Sequence, residues 1–260
     1  MLNLPPELLY EVQLYALSPS LPYVSKHLYQ VFTNASISLR ARYIFLRALG
    51  NQDDLPKDLY TRILRYPLCT IPVLHRIVRI IKQYDYSPLL QDAPELPRRF
   101  FRALPASSSW SDTDEPLPYL RVIFSPEEHF LDMDPPLPAP NPNSHHAYAL
   151  TRAVLRGFVP LVDFLLSQGA LPSYKNGLSV LVAIREKDVE MVKRLIERKD
   201  DSANKKRKLP DRLIPTPNML KMAVKVGAHD IIEYFMNEKG VVPDLKTLYL
   251  IRGTSSGSAR

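Results

Sequence analysis

A chain that repeats itself every few tens of residues cannot close into one layer of unlike elements; it stacks copies of one small unit. From His145 onward this chain does so, and Ala153, Ala183 and Ala223 are the anchors of its repeats. Leu150, Val180 and Leu220 stand three residues before the anchors, and Val154, Ile184 and Val224 one residue after. That spacing places each alanine in the apolar face of a short helix. At offsets of eight, nine, twelve and thirteen come Leu161, Val162, Leu165 and Leu166, then Met191, Val192, Leu195 and Ile196, then Ile231, Ile232, Phe235 and Met236. All twelve are apolar, which predicts antiparallel helix pairs that complete one another's cores. Small anchors let successive first helices approach closely. Gly157, Lys187 and Gly227 follow the anchors by four, where the first helix must end with positive φ before the chain turns back. The anchor spacings of 30 and 40 differ because residues 200–215 read as an insertion, and a final partial repeat opens at Pro243 with Leu245, Leu248 and Ile251 as its stripe.

Ala153, Gly157, Leu161, Val162, Leu165, Leu166 and the pair Gly169-Ala170 fall at the offsets of the ankyrin repeat, which this region resembles. The resemblance implies a helical stack that binds another protein. The Thr-Pro-Leu-His tetrapeptide that opens the family's repeats is missing here, so well-formed hairpin fingers are not expected. A weaker echo lies earlier, where Ile71-Pro72-Val73-Leu74 with Ile77 and Val78 parallels Val159-Pro160-Leu161-Val162 with Leu165 and Leu166. Arg65 takes the anchor place, so residues 57–82 read either as a decayed repeat or as an unrelated helix pair.

The rest of the chain is shaped by proline. Of 25 prolines 19 precede residue 145, and 12 of these lie from Pro88 to Pro142, against only 8 glycines in the whole chain. Few Gly-rich phosphate loops can be built, and helices are broken often. Within that middle, residues 95–104 and 119–124 suit short helices, while 106–115 and 134–144 read as loops. One cysteine, Cys69, excludes an internal disulfide and reads as a small buried apolar residue. No Cys/His set has zinc spacing, no apolar run approaches the ~20 residues of a membrane span, and no secretory leader is recognisable. The net charge of +7 is largely local, since residues 185–212 hold eleven Lys/Arg against seven Asp/Glu. Such a mixture usually marks a solvated face, which disfavours nucleic acid as a partner.

At the N-terminus Leu4-Pro5-Pro6-Glu7-Leu8-Leu9 opens a helix whose prolines fall in the first turn, and it continues with Val12 and Leu17 on its buried side. Leu21, Val24, Leu28, Val31 and Phe32 mark a second amphipathic stretch. Two such helices cannot form a core alone, so their apolar surface must meet the rest of the chain or a partner. This stretch resembles an F-box, in the opening Leu4-Pro5-Pro6-Glu7-Leu8-Leu9 and in Leu21-Pro22-Tyr23-Val24-Ser25-Lys26-His27-Leu28-Tyr29. The resemblance implies binding to a Skp-type adaptor of a cullin-RING ubiquitin ligase, through Leu4, Pro5, Leu8, Leu9, Val12, Val24 and Leu28. The segment between the helices is shorter than the family's, and residues 40–49 are the available third helix. The other reading of these helices is a cap on the solenoid's first repeat.

Arg152, Arg156, Arg185, Lys221 and Lys225 lie off the repeat core on successive first helices, which line the concave side in ankyrin-like stacks. They form either a basic groove for an acidic peptide or an ordinary charged surface. Lys205, Lys206, Arg207 and Lys208, with Lys193-Arg194 upstream, have the layout of a nuclear import signal, with a solvated insertion as the alternative. Gly253-Thr254-Ser255-Ser256-Gly257 matches a nucleophile-elbow pattern without the flanking strand and helix, and reads as tail. Adjacent His145 and His146 diverge by about 100 degrees on a helix and suit a helix start better than a shared metal. Trp110 either anchors a partner or folds back onto the irregular middle; Ser111 and Thr113, beside Asp112, Asp114 and Glu115, are candidate phosphorylation positions. The expected molecule is all-α, with an F-box-like segment over 1–50, an irregular Pro-rich helical region over 51–144, ankyrin-like repeats over 145–252 and a flexible tail over 253–260. It is expected to be no enzyme, to need no cofactor, and to work inside the cell, in nucleus or cytoplasm, as a substrate-recruiting ligase adaptor. The alternative is an interaction scaffold with no ubiquitin link.

Overall fold

The computed structural model describes residues 4–50, 56, 58–84, 92–105, 109–131, 136–198 and 211–255, with side chains to residue 250. Every regular element among them is helical, and the one β-type pairing among the described residues is an isolated bridge between Glu95 and Asn141. The chain forms two compact units, Met1–Arg99 with Glu115–Asn141, and Phe100–Asp114 with Pro142–Arg260.

In the first unit α1 (Pro6–Ala16) starts on prolines, where a missing amide costs little, and ends at Leu17 in the left-handed region. A 3-10 turn (Leu21–Tyr23) leads to α2 (Lys26–Thr33) and α3 (Ile37–Leu49). Ser25 and Ser36 cap these two helices, each hydroxyl accepting an amide hydrogen bond of 3.2 Å, from Leu28 and Leu39 respectively. α3 is the hub: it packs on α1, on α4 (Leu59–Arg65) and on α5 (Ile71–Gln83), burying Ala41, Tyr43, Ile44, Phe45 and Ala48. α5 answers with Val73, Leu74, Ile77, Val78 and Ile81, all buried. It opens on Ile71-Pro72 much as the later repeat helix opens on Val159-Pro160, so the echo read in the sequence holds for this helix. It fails for α4, where Arg65 at the anchor place is exposed and paired with Glu95 at 2.8 Å. The turn after α4 closes through Leu68 and Tyr66, unlike the turns of the later repeats. α6 (Arg99–Arg102) occupies only the centre of the helix expected over 95–104, held short between Pro97 and Pro105. α7 (Leu117–Phe124) and α8 (Pro126–His129) complete the middle.

The second unit holds α9 (Ser144–Leu155), α10 (Val159–Ser167), α11 (Tyr174–Arg185), α12 (Val189–Ile196), α13 (Pro217–Val226), α14 (His229–Glu233) and α15 (Leu245–Ser255). The odd-numbered helices form one row, α9 on α11 and α11 on α13, with α10, α12 and α14 each against its own partner. Ala153, Ala183 and Ala223 are buried in that row. Each first helix ends with the same paired bonds. Phe158, Asp188 and Ala228 donate to the anchor carbonyls at 3.0, 3.1 and 3.0 Å, and Gly157, Lys187 and Gly227 donate to the carbonyls one residue later. The φ values of 61°, 58° and 64° at those three residues are the left-handed turn that their position in the repeat predicts.

Three features differ from the sequence expectation. α9 and α11 each open with three left-handed residues, His145, His146 and Ala147, and Lys175, Asn176 and Gly177, thirty positions apart like their anchors. The equivalent place before α13 holds Pro215, Thr216 and Pro217; proline cannot take positive φ, and the Thr216 hydroxyl caps Met219 instead. α14 continues as a π-helical turn (Tyr234–Glu238), so its closing bond runs from Val241 to Phe235 where α10 closes from Ala170 to Leu165. That extra residue accompanies an exposed Met236 and a half-buried Ile232, both expected inside. Finally, α15 turns Thr247 inward and leaves Leu245 and Leu248 exposed, reversing the expected stripe, and it runs on through Gly253 and Thr254 to Ser255.

Candidate functional site

α1 has two faces. Leu9 and Gln13 point into the first unit, where α2 and α3 pack against the helix. Leu8 and Val12 lie on the outside, 45% and 46% exposed, Val12 against the expectation of a buried place because α2 and α3 cover the opposite face; Tyr15 at the helix end continues that side, and Leu4, also exposed, precedes the helix. Spacings of four and three residues put Leu8, Val12 and Tyr15 in one line on α1. Val24, 70% exposed, and Tyr23 add a second apolar group on the 3-10 turn. Of the seven expected adaptor contacts, Leu4, Pro5, Leu8, Val12 and Val24 are therefore exposed, whereas Leu9 and Leu28, each 3% exposed, belong to the chain's own core. Tyr15 was not singled out from the sequence, although its spacing from Val12 continues the stripe.

The polar interior holds this platform in place. Gln13 Nε2 donates to the Ser18 carbonyl at 2.8 Å, and the Tyr43 hydroxyl donates to the same oxygen at 3.3 Å. Arg47 Nη1 donates to Leu17 O at 2.7 Å and to the Tyr43 hydroxyl at 3.0 Å, while its Nε donates to the Tyr66 hydroxyl at 3.1 Å. Partial burial opposes the Arg47 charge, but the hydrogen bonds with Tyr43 and Tyr66 outweigh it and hold its pKa above the ordinary value. The end of α1 is thereby fastened to α3, so its outer stripe is presented on a fixed helix.

On the repeats, the five expected groove cations are not equivalent. Arg152 donates to the carbonyls of Phe101 and Arg102 at 3.1 and 3.0 Å. Trp110 stacks on Phe158 at 4.2 Å and 9°, and its indole donates to Arg156 O at 2.9 Å. One end of the row is thus covered by the chain's own α6 and Trp110, which docks on the turn between α9 and α10 rather than on the irregular middle. Arg185 and Lys225 are exposed and Lys221 half-buried, so the open basic surface reduces to these three.

Lys205, Lys206, Arg207 and Lys208 lie outside the described residues. The upstream Lys193 and Arg194 sit on folded α12, where Lys193 pairs with Glu238 at 3.4 Å and Arg194 with Asp163. Cys69 is buried; loss of solvent pushes its thiol up to about 11, and the Tyr119 hydroxyl donates to Sγ at 3.6 Å. Ser111 closes a tight exposed turn, its amide donating to Asp114 Oδ2 at 2.7 Å. Among the described residues no group of three or more His, Cys, Asp or Glu is placed to hold a metal ion, and no helix is long and apolar enough to cross a membrane.

No protein-family model matches this chain, and neither a curated protein nor a solved structure does.

Proposed function

We propose that this chain recruits substrates to a cullin-RING ubiquitin ligase, docking a Skp-type adaptor with its N-terminal helices and holding a target protein on the helical repeats. The observation that carries the reading is the line of Leu8, Val12 and Tyr15, apolar and exposed on a helix that α3 fastens from behind, with exposed Leu4 just before it. Full burial of such a side chain contributes roughly 1.5–3 kcal/mol, and Leu8 and Val12 keep a little under half of their surface to bury, so each adds roughly 1 kcal/mol on docking and the line supplies the apolar anchors of a docking helix. The target side is Arg185, Lys221 and Lys225, which suits an acidic peptide. The chain then acts by proximity, raising the concentration of a target lysine near the transferring enzyme, while the bond-making chemistry belongs to other subunits. Lys205, Lys206, Arg207 and Lys208 serve nuclear import in this reading, with the chain working in nucleus or cytoplasm.

Leu8→Glu with Val12→Glu tests it directly. Both side chains are half exposed, so the variant keeps its helical circular dichroism; it loses capture of a purified Skp-type adaptor that the parent chain binds. A scaffold with no ubiquitin link, its N-terminal helices acting as a cap, is the second reading, and one observation favours it: α3 packs on α5, the helix that keeps the Ile-Pro opening of the repeat. That reading predicts no adaptor capture by either form.

A further inference from the structure

Independent of the adaptor reading, the first unit carries a groove of about 420 Å³ that runs from the end of α1 over the 3-10 turn, α2 and α3 to the turn after α4. All of its lining residues are among those described, and neither Leu8 nor Val12 of the outer stripe is one of them. Its walls are aromatic, with Tyr23, Tyr29, Phe32, Tyr43 and Tyr66, and Pro22 and Pro67 add rigid edges. Tyr23 and Tyr29 are 78% and 52% exposed, with ring centres 6.3 Å apart. The polar groups that face this surface are rich in donors. The hydroxyls of Tyr23 and Tyr29 have no partner among the described residues, and that of Tyr66 accepts from Arg47 Nε at 3.1 Å and keeps its own hydrogen to give. Arg40 and Arg47 are the charged lining residues, and no carboxylate joins them. Their hydrogen bonds go to neutral groups, the carbonyls of Thr33 and Leu17 and the hydroxyls of Tyr43 and Tyr66, so both positive charges stand whole in the groove. Gln13, 5% exposed, and Arg40 also bring to the lining a buried Oε1 and Nε without partners, so the site as it stands is incompletely satisfied.

We infer that this groove binds a proline-rich segment of a partner protein in the polyproline II conformation, with an acidic residue beside the prolines. Proline rings lie flat against tyrosine faces, and a polyproline II backbone has no internal hydrogen bonds, so its carbonyls are free to accept from the tyrosine and arginine donors. A docked helix would bring carbonyls already used within itself. The acidic side chain complements the charge of Arg40 and Arg47, which sets the sign of the partner.

Fluorescence-polarisation titration of the full chain against a labelled peptide, two aspartates followed by three Pro-Pro-Leu units, tests the inference. Saturable binding is expected, weakened about tenfold or more when alanine replaces the prolines or lysine replaces the aspartates. Tyr29→Ala and Arg40→Gln each weaken it by about tenfold. Leu8→Glu with Val12→Glu, outside this groove, leaves it unchanged, which separates the groove from the adaptor site. Circular dichroism and the thermal midpoint verify that all forms are folded. Absence of saturation at millimolar chain, equal binding of the alanine or lysine peptide, parent-like binding by either groove variant, or weakening by the Leu8 and Val12 variant overturns the proposal.

Discussion

Single residues carry the sharpest constraints. Gly177 is left-handed, which strains any residue with a Cβ, and a Cβ there would also push aside the flexible tip of Met219. Gly177→Ala is expected to lower stability by about 1–3 kcal/mol in urea unfolding. Cys69 supplies a pH dependence. Its thiol titrates at about 11 in the fold, against about 8.5 in an unfolded chain. The unfolded state therefore loses its proton first, so this stability is whole below about pH 8.5 and lost as the pH climbs toward 11. By pH 10 the loss is about 2 kcal/mol, which Cys69→Ala removes from the pH profile of the urea midpoint. The buried hydroxyls of Tyr60 and Tyr119, also raised by burial, act in the same direction at still higher pH. Burial of Cys69 was legible in its apolar surroundings. The partnership of Trp110 with Phe158 was not, because stacking across 48 positions leaves no local periodicity.

At the scale of elements, the repeat was readable because each anchor, apolar pair and turn residue has a purely local cause. The common cap of α9, α11 and α13 shows this: Lys187 holds the left-handed place that Gly157 and Gly227 fill. A side chain with a Cβ is strained there, so Lys187→Gly is expected to stabilise the chain by about 1 kcal/mol, read as a raised thermal midpoint. What the sequence hid are departures from regular helix geometry. The left-handed openings of α9 and α11 need only one glycine among six residues, and the π-helical turn after α14 shifts the register without changing the apolar pattern. α15 shows the limit of periodicity: its leucines mark a face, but contact with α13 selects the side bearing Thr247.

For the whole molecule, two compact units separate the two tasks assigned to it: α1 to α3 lie in the first and the repeat row in the second. Ala153→Leu overpacks that row and is expected to lower stability by about 1–3 kcal/mol while leaving adaptor capture intact, measured by denaturation and pull-down on the same sample. The N-terminal site was legible as an amphipathic pattern; which leucines face outward was not, because Leu8 and Leu9 are equally apolar and only packing against α3 decides between them. The central claim is that the outer face of α1 docks an adaptor. Hydrogen exchange of the full chain with and without a Skp-type adaptor tests it most directly. The account predicts slowed exchange in α1 and in the 3-10 turn at Val24, with α9 to α14 unchanged; exchange unaltered in α1 in the presence of saturating adaptor would contradict it.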